Sequence, residues 1–282
     1  MKANQDIYKT SRVLYIIEAA LEYFISILVS GVYLAKVTSS LGISDTLTGL
    51  LTAFVSLGCG FQLIAIFLAN KCPVKRWVTV LHSLNQLFFA LIYLVPFIKL
   101  TIEQKTVVFV VFLLLAHIIN NVVNSPKINW FMSLVDDKKR GDFTANKEMV
   151  SMIGGMLFSF AMGTLVDHFE AMGDLNAAFI VCGLSIFVLM LLHSATLIFS
   201  KEKECEEQER IPTKQLLAEL LKDKNLFKVI LVSVLWNVVY YSATPFYNSY
   251  QIKELGFSMT FLSVLSAGYA IVRSIFSKAE QE

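Results

Sequence analysis

Seven stretches of this chain contain no Asp, Glu, Lys or Arg: residues 46–70, 77–98, 106–126, 149–166, 175–200, 229–252 and 255–272. They run 18 to 26 residues, and a helix needs ~20 to cross the hydrocarbon core of a bilayer. An eighth, residues 13–35, is interrupted only by Glu18 and Glu22. In hydrocarbon every backbone N–H and C=O must be paired within the protein, which leaves helices or closed barrels. Barrel strands would alternate in polarity over about ten residues instead of staying apolar for twenty. The reading is therefore all-α, a polytopic transmembrane helix bundle of eight spans. Charged residues make up 16% of the 282, against ~25% in a soluble domain. That excludes a water-soluble enzyme, a nucleic-acid binder and a secreted disulfide scaffold, and makes the lipid bilayer the first partner.

The charges that remain set an orientation. With the N-terminus in the cytoplasm, 20 of the 24 Lys and Arg fall on the inner side, including Lys127 and its neighbours in a 127–147 loop. Only Lys36, Lys99, Lys105 and Lys253 fall outside. Cationic residues are retained on the cytoplasmic side, so the chain reads as a multi-pass protein of the cell inner (plasma) membrane with both termini cytoplasmic. The 166–175 segment agrees, holding Asp167, Glu170 and Asp174 but no Lys or Arg. The first span is not read as a cleaved signal peptide, because two carboxylates interrupt it and no small-x-small site follows. Cys59, Cys72, Cys182 and Cys205 form no CxxC pair, so neither a disulfide nor a metal site is expected.

Residues 201–224, opening KEKECEEQER, are the most hydrophilic stretch. They divide a six-helix half, 1–200, from a second unit, 225–282, that holds spans 7 and 8. Within this linker Pro212 to Leu221 gathers Leu216, Leu217, Leu220 and Leu221 on one face, the pattern of a helix lying in the membrane interface. Spans 1–3 and 4–6 carry a basic inner loop and an acidic outer one in matching places, as an inverted repeat would.

Polar groups within the spans are costly and call for a reason. Glu18 and Glu22 lie at i, i+4 on one face, with Tyr15 and Ser26 continuing the stripe. Two carboxyls this close do not both ionise readily, and a carboxyl that exchanges a proton is what a proton-coupled carrier needs. The alternative is that Glu18 pairs with a cytoplasmic Lys or Arg as a structural lock. Span 4 carries His117, Asn121 and Asn124 at i, i+4, i+7, with Asn120 alongside. This stripe reads as the lining of a wet cavity, against a seam of helix–helix hydrogen bonds. Span 7 repeats it with Asn237, Tyr241, Thr244 and Asn248, beside Trp236 and Tyr240, which lie deep enough to stack on a ligand. Gln62, Asn85 and Gln86 read as isolated amides in seams, and Gly154, Gly155 and Gly163 as close-packing positions. His82, His117, His168 and His193 sit in separate segments, and no HExxH, GxSxG or P-loop is present. No catalytic residue and no cofactor is expected.

Three stretches carry a resemblance. SPKINWFMSLVDDKKRGDFTANK, residues 125–147, resembles the loop between helices 4 and 5 in a bacterial branch of the major facilitator superfamily, through Pro126, Trp130, Val135, Arg140, Gly141 and Phe143. PFYNSYQIKELGFS, 245–258, is similar to the junction of helices 7 and 8 in that branch. IFLANKCPVKR, 66–76, stands where the superfamily has a Gly-x-x-x-Asp-Arg-x-Gly-Arg-Lys gating loop, but only Lys71, Lys75 and Arg76 keep its charge. Asn70 replaces the Asp, and Ile66 and Pro73 replace the glycines. Span 4 lacks the arginine and span 5 the Gly-Pro element of drug/proton antiporters, so that subclass is disfavoured. The resemblance implies a secondary active transporter moving a small solute by alternating access, with a proton as candidate coupling ion. It also implies that spans 1, 4 and 7 line one cavity and that Arg140 joins Lys71, Lys75 and Arg76 in a cytoplasmic gate. Against the superfamily's twelve helices, the chain reads as truncated after helix 8. The competing expectations are a transport-incompetent fragment and an integral-membrane enzyme or assembly factor.

Overall fold

The computed structural model describes residues 7–57, 73–203 and 224–279, and every regular element among them is helical. The order is α1 (Lys9–Leu28), α2 (Gly31–Ser40), α3 (Asp45–Leu57), α4 (Val74–Ile92), α5 (Ile102–Ser133), α6 (Arg140–Ala171), α7 (Leu175–Phe199), α8 (Lys224–Lys253) and α9 (Met259–Ala279). Single 3-10 turns at Val95–Phe97 and Asp137–Lys139 join α4 to α5 and α5 to α6. Four described stretches are long and apolar enough to span a bilayer by themselves: Lys9–Ser40, Ile102–Ser133, Asp137–Ala171 and Leu175–Phe199. The amphipathic 212–221 segment, Gln62, Lys71, Cys59, Cys72 and Cys205 lie outside the described residues, as do the side chains of Asn237, Tyr241 and Thr244.

Two helix boundaries depart from the sequence reading. The first span is broken. Val29 closes α1 with its N–H on Ile25 O, Ser30 is extended (φ −138°, ψ 178°), and Gly31 opens α2 at φ +55°. Glycine takes that left-handed conformation without the Cβ clash another residue would meet. The expected 127–147 loop is the second departure. α5 continues through the buried Pro126 to Ser133 and α6 begins at Arg140, so the true connection is 134–139. Lys127 is therefore a helical residue and leaves the count of inner-loop cations. The gating-loop residues Lys75, Arg76 and Arg140 are likewise helical, each in the first turn of α4 or α6.

Helix ends that lack intrahelical partners are held from elsewhere in the chain. The Glu202 carboxylate, just past α7, accepts from Val74 N (2.6 Å) and Lys75 N (3.1 Å) at the start of α4. Asp167, near the end of α6, accepts from Met259 N (2.9 Å) and Thr260 N (2.8 Å) at the start of α9. Thr101 and Gln104 form a capping box on α5, and Asp174 caps α7 through Ala177 N. Two of these caps tie one helix to another.

α1 packs on α6 and α7; α5 packs on α3 and α4; α4 meets α7. These are the pairings expected if spans 1–3 exchanged places with spans 4–6. α8 lies on α2 and α3, and α9 lies on α6. Small residues admit the close approaches. A Cβ on Gly49 would lie 2.6 Å from the Phe246 ring of α8, and one on Gly163 would lie 3.1 Å from the Met259 backbone of α9. Gly154 and Gly155 make the same room for Phe24 and Tyr23, so Gly154, Gly155 and Gly163 are close-packing positions. The outside is apolar, with Leu157, Leu184, Leu191, Phe199, Val232 and Val239 all more than half exposed, the arrangement hydrocarbon rather than water requires.

The interior holds two apolar clusters. The larger includes Ile25, Phe89, Ala116 and Ile186, and the smaller Tyr15, Val78, Trp130, Phe131 and Leu197. On each of α1, α4, α5 and α7 an ionisable side chain that is at most 1% exposed lies between members of the two: Glu18, His82, Lys127 and His193.

Candidate functional site

Those four side chains and Glu22 form one cluster at the junction of four helices. Glu18, His82, Lys127 and His193 are 0–1% exposed, while the side chain of Glu22 retains 27%. The Lys127 Nζ is the hub. It donates to Glu18 Oε1 (2.8 Å), to Glu22 Oε2 and to His82 Nε2 (3.0 Å), which uses all three of its protons. The i, i+4 spacing on α1 turns both carboxylates to the same side, and α5 delivers the ammonium between them.

The surrounding hydrogen bonds assign the protons. Asn85 Nδ2 donates to Ala116 O (3.4 Å), which turns its Oδ1 toward His82 Nδ1 at 3.0 Å. His82 therefore carries its proton on Nδ1 and accepts from Lys127 on Nε2. His82 Nε2 also lies 3.4 Å from Glu22 Oε1. On the other side His193 Nε2 donates to Glu18 Oε1 at 2.7 Å, its ring set edge-on to His82 at 4.6 Å. His193 Nδ1 and Glu18 Oε2 are buried with no hydrogen-bond partner among the described residues. With both imidazoles neutral the cluster holds two carboxylates and one ammonium, a buried excess of one negative charge.

The remaining neighbours bound the site without neutralising it. Tyr15, one turn from Glu18 toward the chain's start, stacks on Phe131 at 4.2 Å. From α6, Lys147 approaches the Tyr15 ring at 5.4 Å and pairs with Glu148 at 3.0 Å. The carboxylates and imidazoles of Glu18, Glu22, His82 and His193 offer four donor atoms within 4.8 Å of one another, a set able to hold a metal ion. Lys127 Nζ already bridges three of these groups, so the cation at this point is the protein's own.

This is a charge cluster held where four helices of the bundle meet. The family model of the Major Facilitator Superfamily matches residues 15–279. The chain belongs to that superfamily. It is thus an integral, multi-pass membrane transporter. No curated protein matches it.

As a superfamily member the chain carries its candidate cavity residues in unequal settings. On α5, His117 is buried, with Phe89 edge-on at 5.0 Å and no partner on Nε2 among the described residues, and Asn121 donates to His117 O at 2.9 Å. Asn124 is half-buried. His117, Asn120, Asn124 and Lys127 fall at i, i+3, i+7, i+10, so the polar stripe ends in the charge hub. On α8, Trp236 and Tyr240 are 71% and 51% exposed and stand apart from that hub. Asn248, lower on the same helix, faces the break in the first span, its amide 3.9 Å from where a Gly31 Cβ would stand. Of the gating residues, Arg140 bonds Met132 O through Nε and pairs with Asp137 at 2.8 Å.

Sequence reasoning placed Glu18 and Glu22 but missed Lys127, His82 and His193. The partner of Glu18 is indeed a lysine, but one within a helix rather than in a loop. The histidines are spread along the chain, as expected, yet two of them converge. Asn85, read as seam glue, does join α4 to α5, and it also fixes the His82 tautomer. The available signal was that His82 and Lys127 lie on stripes already recognised, at i−3 from Asn85 and i+3 from Asn124.

Proposed function

We propose that the chain is a secondary active transporter of the inner membrane, both termini cytoplasmic, that moves a small solute by alternating access and couples it to a proton at the Glu18–Glu22–Lys127 cluster. The observation that carries this reading is the charge count: two carboxylates share one ammonium between apolar layers, and of the five side chains only Glu22 reaches the surface. One added proton makes the cluster neutral. Uncompensated charge in a low-dielectric interior is costly, so the protonated and deprotonated clusters favour different surroundings. That difference is what lets a proton bias a two-state equilibrium. Glu22 is the entry point, since it alone of the five keeps solvent access. A protonated Glu22 can donate to His82 Nε2, 3.4 Å from its Oε1, in place of Lys127.

The test is proton movement in proteoliposomes that hold the full chain and an internal pH-sensitive dye. Addition of a transported solute acidifies or alkalises the lumen in wild type. Glu22→Gln fixes the cluster in its neutral form and abolishes the proton signal while solute exchange persists. Uptake with an unchanged pH profile in Glu22→Gln removes the coupling role.

A further inference from the structure

A cavity of about 230 Å³ lies where the broken first span meets α6, α8 and α9. It is distinct from the charge cluster, and among the described residues no Asp, Glu, Lys, Arg or His lines it. Its walls mix apolar surface with hydroxyls, a phenol and an amide. Some of these groups are already engaged: Ser30 Oγ donates to Ser26 O (2.6 Å), Tyr33 OH donates to Ser159 O (3.0 Å), and Ser159 and Ser263 bond each other. Three others are not. The Tyr23 hydroxyl, the Asn248 amide and the Ser266 hydroxyl line the cavity and make no side-chain hydrogen bond among the described residues. They come from α1, α8 and α9, on both sides of the division between the six-helix half and the later helices.

The packing keeps this space open. A Cβ on Gly155 would lie 2.2 Å from Tyr23 Cε1, so the bare backbone of α6 makes the room in which the Tyr23 ring lies. Gly31 at φ +55° turns a bare peptide toward Asn248.

We infer that this cavity is the solute site of the transporter and that its solute is small, uncharged and polyhydroxylated, of monosaccharide or polyol size. The inference rests on the transporter reading above. Convergent polar groups on a partly apolar wall are the mark of a small-molecule site, and this one is smaller than the ~300–1,000 Å³ that drug-sized ligands occupy. A phenol, an amide and a hydroxyl each offer a donor and an acceptor, which suits the hydroxyls of a sugar or polyol. A charged solute would leave its charge without a counter-ion in the wall, and desolvating it would then go uncompensated.

Binding to the purified full chain in nanodiscs tests this with a size-matched set: xylitol, D-mannitol and D-glucose as neutral probes, gluconate as the anion and glucosamine as the cation. At least one neutral probe is expected to bind at least tenfold more tightly than both charged ones. Tyr23→Phe and Ser266→Ala each remove one hydroxyl and almost no volume, and each should weaken that probe about fivefold with the Tm of the free protein unchanged. Equal or tighter binding of gluconate or glucosamine overturns the inference, as does binding of no neutral probe or unchanged affinity in both variants. Those outcomes leave proton coupling standing if a different solute drives the vesicle dye signal. Neutral binding with no proton movement would instead contradict the coupling and keep the site.

Discussion

Lys127 decides how α1, α4, α5 and α7 can meet. It places one ammonium against Glu18, Glu22 and His82 at a point with 1% exposure. Removing one member of a buried ion pair leaves the other charge stranded, at about 3–5 kcal/mol. Lys127→Met is accordingly expected to lower stability by that order, read as a fall in Tm in detergent. The Lys127→Met/Glu18→Gln double variant should recover part of it, because it removes one of the two stranded carboxylates. A double variant as unstable as the sum of the singles would show that the pair does not interact. The sequence contained each of these residues in plain view, and the i, i+4 relation of Glu18 and Glu22 was readable because it is local. Lys127 was hidden because it is the first charge after the 106–126 run, a position that reads as the start of a loop. His82 and His193 were hidden because their partners are 45 and 175 residues away, and no periodicity encodes a contact between helices.

Among the helices, the apolar runs predicted existence well and ends less well. α5 to α7 appear where the charge-free stretches lie, but α5 and α6 extend past them, because in a membrane protein the polar ends of helices continue into the interface. The break between α1 and α2 had a local cause in view, the Ser30–Gly31 pair inside an otherwise apolar run. Such a dipeptide is a turn signal, outweighed in a reading by hydropathy alone. The contact of α6 with α9 depends on Gly163, where an added Cβ meets the Met259 carbonyl at 3.1 Å and Ser263 Oγ at 3.0 Å. Backbone cannot give way as a side chain can, so Gly163→Val should cost about 1–3 kcal/mol. The Ser159→Cys/Ser263→Cys pair, whose hydroxyls are 3.0 Å apart in the native chain, should cross-link under mild oxidation. Mass spectrometry of the linked peptides checks it, and the yield should fall when Gly163→Val is added.

Taken whole, the molecule joins α8 and α9 to the six-helix half at the end that carries Asp45, Asp167 and Lys253. Two kinds of contact close that end. The Lys253–Asp45 ion pair (2.7 Å) is 34% and 49% exposed, and such pairs contribute ~0–1 kcal/mol. The Asp167 carboxylate takes two backbone N–H groups of α9, and hydrogen bonds to a charged group contribute ~1.5–3 kcal/mol. The second contact should therefore govern closure. Asp167→Ala is expected to raise the labelling rate of a Ser263→Cys thiol several-fold, whereas Asp45→Ala changes it little; the reverse order would assign closure to the ion pair. Along α8 the described side chains from Leu231 to Tyr240 are exposed.

The claim on which the rest depends is that the buried cluster, short of one positive charge, takes up a proton at Glu22. Infrared difference spectra of the full chain in lipid, recorded between high and low pH, read the carbonyl stretch of a protonated carboxyl directly. A pH-dependent carboxyl band that is present in wild type and in Asp167→Ala but lost in Glu22→Gln is the predicted result. A spectrum in which Glu22→Gln leaves every pH-dependent carboxyl band in place would contradict it.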